Sequence, residues 1–141
     1  MDALYTAVAT SIGDGRNGSA RTSDGQLEVD LAVPPEMGGP GGGTNPEQLF
    51  ALGYAACFHS ALKGQGRRMG IPVNDSAVTA EVGIGKRDEG VGFGLVVTLR
   101  VEMSGVSQED AEKVTAAAHE VCPYSNATRG NVDVTLEVEA G

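Results

Sequence analysis

A chain of 141 residues, 40% hydrophobic and 21% charged, is long enough to bury one real core and short for two, so a single domain over residues 1–141 is expected. Its formal charge of -9 and pI near 4.5 exclude phosphate backbones and anionic membrane surfaces as partners, because binding those requires clustered Lys and Arg. With no Trp, three Phe and three Tyr the core has few large anchors, and a second subunit is expected to cover part of the surface.

The opening MDALYTAVATSIGDG lacks a basic segment followed by an apolar one. No stretch approaches the roughly 18 apolar residues of a membrane span, so a cytoplasmic location is expected. The Asn-x-Ser/Thr triplets at Asn17, Asn74 and Asn126 are then chance occurrences. Two cysteines in a reducing compartment are not a permanent staple. They are either inert core residues or chemically employed.

In chain order, residues 2–33 read as a β-meander: Leu4 to Thr10 alternates, Asp14-Gly15 and Asn17-Gly18 are turn dipeptides, and Gln26 to Val33 alternates again. Pro34 to Gly43 is a Gly-rich loop, a connector or an active-site lid. Its GGPGGGTNPE lacks the spacing and the Lys of a nucleotide-phosphate loop. Thr44-Asn45-Pro46-Glu47 supplies an N-cap and a Pro at the first helical position, which predicts a long helix from Pro46 to about Met69. Its apolar residues fill most sides, so burial nearly all round is expected, with Gly53 as a weak point and Gly64, Gly66 and Gly70 as fraying positions.

Val78 to Ile84 and Gly94 to Met103 read as two paired strands joined by a turn-rich stretch. Ser107 with Asp110 resembles a capping box for a second helix over Glu109 to Val121, with Ala111, Val114, Ala117, Ala118 and Val121 at helical spacing. Pro123 breaks or restarts that helix, and Asn131 to Glu139 alternates as a closing strand. The order predicts an α+β fold with mostly antiparallel strands, in which parallel βαβ winding is the lesser alternative.

Cys57, in YAACFHSAL on an apolar helix, reads by itself as an unreactive small hydrophobe. Cys122, at a helix end before Pro123, sits where the chain can bend and a sulfur can reach out. For Cys122 the inert and employed readings stay open. A metal site built on Cys57, His59, His119 and Cys122 fails by half, because positions i and i+2 of a helix point about 200° apart. Arg16, at the turn GDGRNG, reads alone as a solvated charge.

Together, LYTAVATSIGDGRNG, GGTNPEQLFALGYAACFHSAL, VGIGKRDEGVGFGL and VCPYSNATRGNVDVTLEV resemble the organic hydroperoxide resistance branch of the Ohr/OsmC family, in the right order over nearly the whole chain. The resemblance implies an OsmC-like intertwined homodimer with a long central helix, a second helix and active sites at the subunit interface. It implies Cys57 as the peroxidatic cysteine, Cys122 as the resolving one, Arg16 beside the reactive sulfur and Glu47 as that arginine's partner. Arg16 would lower the thiol pKa, and Glu47 would fix its guanidinium fork. Glu47 and Cys57 are ten residues apart, about 15 Å along a straight helix, so a bend near Gly53 or a contribution from a second subunit is required.

The implied activity is reduction of organic hydroperoxides through a Cys57 sulfenic acid and a Cys57–Cys122 disulfide. No resident cofactor or metal is expected. The implied reductant is an external dithiol, a dihydrolipoyl group on a lipoylated protein. Tyr54 and Phe58 are candidate pocket residues for a lipid-like substrate. The stress-induced OsmC branch shares the fold and the cysteine pair, and a non-enzymatic module with two buried thiols is the reading of a different class. Thiol labelling after peroxide separates the last of these from an enzyme.

Overall fold

Turn chemistry organises the first part of the chain. The computed structural model describes Met1–Gly141 as two units, Met1–Leu49 and Phe50–Gly141. In the first, β1 (Ala9–Ile12), β2 (Ser19–Thr22) and β3 (Glu28–Asp30) form an antiparallel meander in that order. Pairing begins only at Ala9, so the expected alternation from Leu4 does not become strand, and Leu4 and Tyr5 stand exposed. Ser19–Thr22, which carries no apolar alternation, is nonetheless the central strand, because β1 and β3 complete its hydrogen bonds from both sides.

The Gly-rich loop is a folded turn rather than a loose connector. It contains a 3-10 turn, Pro35–Met37, and its ends are clasped: Ala32 N donates to Thr44 O at 2.9 Å and Gly41 N to Val33 O at 3.0 Å. A Cβ at Gly39 would lie 2.1 Å from Val33 O, so only glycine permits this approach.

The long helix, α1 (Pro46–Met69), starts where expected. Asn45 caps it, its Oδ1 accepting from Gln48 N at 2.9 Å. It runs unbroken through Gly53, Gly64 and Gly66 and stops at Gly70, whose φ of 70° ends the helical path. Gly66 is kept by packing, since a Cβ there would sit 2.5 Å from Val73 Cγ2. Burial all round is not what the chain shows: within α1 the fully buried residues are the stripe Tyr54, Phe58, Leu62 and Gly66, and Leu52 is exposed. A single chain covers only the i, i+4 face that meets its own sheet and second helix.

In the second unit β4 (Asp75–Lys86) pairs antiparallel with β5 (Phe93–Ser104), and β5 pairs parallel with β6 (Asp133–Ala140). Three of the four strand pairings are antiparallel, as expected, and the β5–β6 ladder is the single parallel one. The connection from β5 to β6, through α2 (Gln108–Val121) and α3 (Pro123–Thr128), has the length a parallel crossover needs. Ser107 caps α2, its Oγ accepting from Asp110 N at 3.1 Å. Val97, Leu99, Val101 and Met103 of β5 face α1 residues Tyr54, Phe58 and Leu62 and α2 residues Ala111, Val114 and Ala118 in one core. On the opposite face Arg100 bridges Glu81 and Glu137. Val121, expected on the apolar face, is exposed at the end of α2. The α+β class and the helix and strand inventory of the later chain stand as expected, and no helix is long and apolar enough to cross a membrane.

Candidate functional site

The candidate residues fall into two pairs, one in each unit. In the first unit Arg16 lies in a 3-10 turn, Gly15–Asn17, between β1 and β2. A Cβ at Gly18 would meet Ile12 O at 2.2 Å, and Asn17 Oδ1 accepts from Val33 N at 3.0 Å, so the turn that carries Arg16 is held on both sides. Glu47, in the first turn of α1, takes the guanidinium as a fork: Arg16 Nη1 donates to Oε2 at 2.8 Å and Nη2 to Oε1 at 2.9 Å. This pair was anticipated from the family resemblance. The guanidinium holds the Glu47 carboxyl below its ordinary range, against the opposing effect of burial. Arg16 is only partly covered, with 39% of its side chain exposed against 15% for Glu47.

The second unit brings the two cysteines together. Cys57, half-buried on α1, and Cys122, fully buried, have their sulfurs 3.8 Å apart, with Cys122 Sγ donating to Cys57 Sγ. Cys122 does not reach out from a loose helix end. It is the one residue between α2 and α3, and Pro123 restarts the chain as helix there, turning the sulfur inward. Burial pushes the Cys57 thiol up, the Tyr124 backbone N–H draws it back, and the neighbouring Cys122 sulfur adds to the rise.

Tyr54 and Phe58, expected as pocket lining, are fully buried core residues with no surface left for a ligand in this chain. The Tyr54 hydroxyl is engaged with Ser125 Oγ at 2.8 Å and Thr128 Oγ1 at 3.1 Å. His59 bonds Ser76 Oγ at 2.9 Å and His119 bonds Ser125 Oγ at 2.8 Å, and no three His, Cys, Asp or Glu side chains converge as a metal cluster. Sequence reasoning missed Ser125 and Thr128. Their signal was the spacing Cys122, Ser125, Thr128, which steps by three from the helix junction through α3, and the structure buries all three.

Residues 39–137 match the family model for OsmC-like proteins. The chain is 50% identical to the organic hydroperoxide resistance protein of Xanthomonas axonopodis pv. citri, over 94% of this chain and 93% of that one. Among solved structures, an organic hydroperoxide resistance protein from Legionella pneumophila superposes with a TM-score of 0.92 at 53% identity, covering 98% of this chain and 99% of that one. Another from Elizabethkingia anophelis gives 0.93 at 46%, covering 100% of both. The chain is therefore a member of the OsmC-like family, on its organic hydroperoxide resistance branch.

Proposed function

We propose that the chain is a Cys-based peroxidase that reduces organic hydroperoxides, lipid-derived ones among them, to alcohols. The observation that carries this reading is the contact of the two sulfurs at 3.8 Å. Closure to about 2.05 Å makes a disulfide, and no other thiol is present to compete. The substrate class is supported by relatives named for organic hydroperoxide resistance.

In the proposed cycle the Cys57 thiolate attacks the terminal oxygen of the hydroperoxide. The O–O bond breaks, the alcohol leaves with a proton, and Cys57 becomes a sulfenic acid. Cys57 takes this role because its sulfur is the less buried of the two. The Cys122 sulfur then forms the disulfide, and water leaves. An external dithiol, in this reading the dihydrolipoyl group of a lipoylated protein, reopens the disulfide by exchange, so the chain needs no resident cofactor.

A buried thiol with a raised pKa is mostly protonated at neutral pH, and the cycle therefore needs a cation to draw out the thiolate. We assign that role to Arg16, with Glu47 holding its fork. The working form in this reading is a cytoplasmic homodimer. Exposed Leu4, Tyr5 and Ile12 support a covering partner, since each leaves a large apolar side chain in water within one short N-terminal segment.

A peroxidase assay with cumene hydroperoxide and dihydrolipoamide tests the cycle. Wild type turns over and loses both thiols to one equivalent of peroxide, Cys57→Ser falls to background, and Cys122→Ser halts at a sulfenic acid. Full turnover by Cys57→Ser would sink the assignment.

A further inference from the structure

Cys122, with φ -62° and ψ 125°, is a single extended residue between two helices, so its sulfur moves with whatever holds α2 and α3 at their angle. A buried polar network outside the redox pair does that. Ser125 Oγ, on α3, lies 2.8 Å from His119 Nδ1 on α2 and 2.8 Å from Tyr54 Oη on α1. Tyr54 Oη is also 3.1 Å from Thr128 Oγ1. Tyr54 and Ser125 are fully buried. The Arg129 guanidinium, just past α3, donates to the His119 carbonyl and ties the same two helices again.

Apolar packing holds helices together but tolerates sliding, whereas hydrogen bonds among buried groups are directional and expensive to leave unmade. A serine has one hydrogen to give and two lone pairs, which suffices for both of its partners at once. Burial, reinforced by the Arg129 charge and opposed by Glu120, lowers the His119 pKa, and its neutral ring offers one nitrogen to donate and one to accept.

We propose that Ser125, bridging Tyr54 and His119, is a positioning residue for the resolving half-reaction, holding the α2–α3 junction so that the Cys122 sulfur stays within reach of Cys57. This rests on the peroxidase reading above. In that half-reaction the Cys122 sulfur attacks the Cys57 sulfur, the S–O bond of the sulfenic acid breaks as the S–S bond forms, and the thiol proton leaves with the hydroxide as water. The oxidising equivalent is the hydroperoxide already consumed. The sulfurs must close from 3.8 Å to about 2.05 Å. Misplacement by about 1 Å is enough to slow such a step on the order of 10²-fold.

The test separates the two half-reactions. One equivalent of cumene hydroperoxide is added to reduced protein with dimedone present, and peroxide loss, dimedone adduct and disulfide are followed with time. For Ser125→Ala, disulfide closure is expected to slow about tenfold and the adduct to accumulate, while first-turnover peroxide loss changes by less than about twofold. His119→Leu should behave in the same direction. His119→Asn, whose amide occupies the position of ring Nδ1, should restore closure toward the wild-type rate. Unchanged closure in Ser125→Ala, or equal slowing of both steps, overturns the proposal. A wild type that consumes peroxide without ever forming the disulfide overturns the peroxidase cycle itself, which is a different outcome.

Discussion

The charged pair of the first unit and the thiol pair of the second solve opposite problems. Arg16 and Glu47 keep their charges at a partly wet surface, where a bidentate fork gives geometry and water limits the desolvation cost. Cys57 and Cys122 sit among Tyr54, Phe58 and Ala118, where dryness raises the Cys57 pKa and packing keeps the two sulfurs close. Dryness alone makes a thiol inert and a fork alone makes a surface ion pair. The chemistry proposed for this chain needs a preformed cation and a preformed sulfur contact, and each unit prepares one of them.

Breaking the charged half should cost most. If Arg16 draws out the Cys57 thiolate as proposed, Arg16→Ala removes the cation and leaves burial to hold the thiol protonated. The nucleophile is the deprotonated form, so a raised pKa means less of it at neutral pH. Peroxide reduction at pH 7 should fall by about 10²-fold. The rate should recover as pH climbs above the ordinary thiol range, so the whole rate–pH profile shifts upward. Thiolate absorbance in the Cys122→Ser background reads the same shift directly. An unaltered profile would remove Arg16 from the site.

The thiol half is tested through its packing. In Gly66→Ala, helix propensity favours alanine by about 1 kcal/mol, but its Cβ would meet Val73 Cγ2 at 2.5 Å and the Ile71 carbonyl at 2.9 Å. Overpacking of this kind costs about 1–3 kcal/mol, so urea unfolding should show a net loss on the order of 1 kcal/mol. A gain would mean that the turn after α1 yields readily. The smallest change, in the opposite direction, is expected of Thr115→Val. Thr115 Oγ1 is buried without a partner, and replacing it with a methyl should raise stability by about 1 kcal/mol and leave the sulfurs in contact. A loss would reveal a bond that the hydroxyl makes after all.

These residues also separate what could be read along the chain from what could not. Asn45-Pro46 starts α1, Ser107 with Asp110 starts α2, Pro123 restarts the helix after Cys122, and strict alternation marks β6. Capping, a missing N–H and a period of two are local facts, decided within a turn or a few residues, and the sequence by itself determined them. The family motifs likewise singled out Arg16, Glu47, Cys57 and Cys122.

Folding in three dimensions decided the rest. Ser19–Thr22 is a strand because two neighbours complete its hydrogen bonds, and β6 lies parallel to β5 because α2 and α3 carry the chain across. Cys57 and Cys122 are 65 positions apart in sequence, and nothing in that interval says their sulfurs meet at 3.8 Å. The Tyr54 hydroxyl finds Ser125 across a similar interval of 71. Contacts between distant residues depend on which faces are buried together, and that follows from how the core closes rather than from any single stretch of chain.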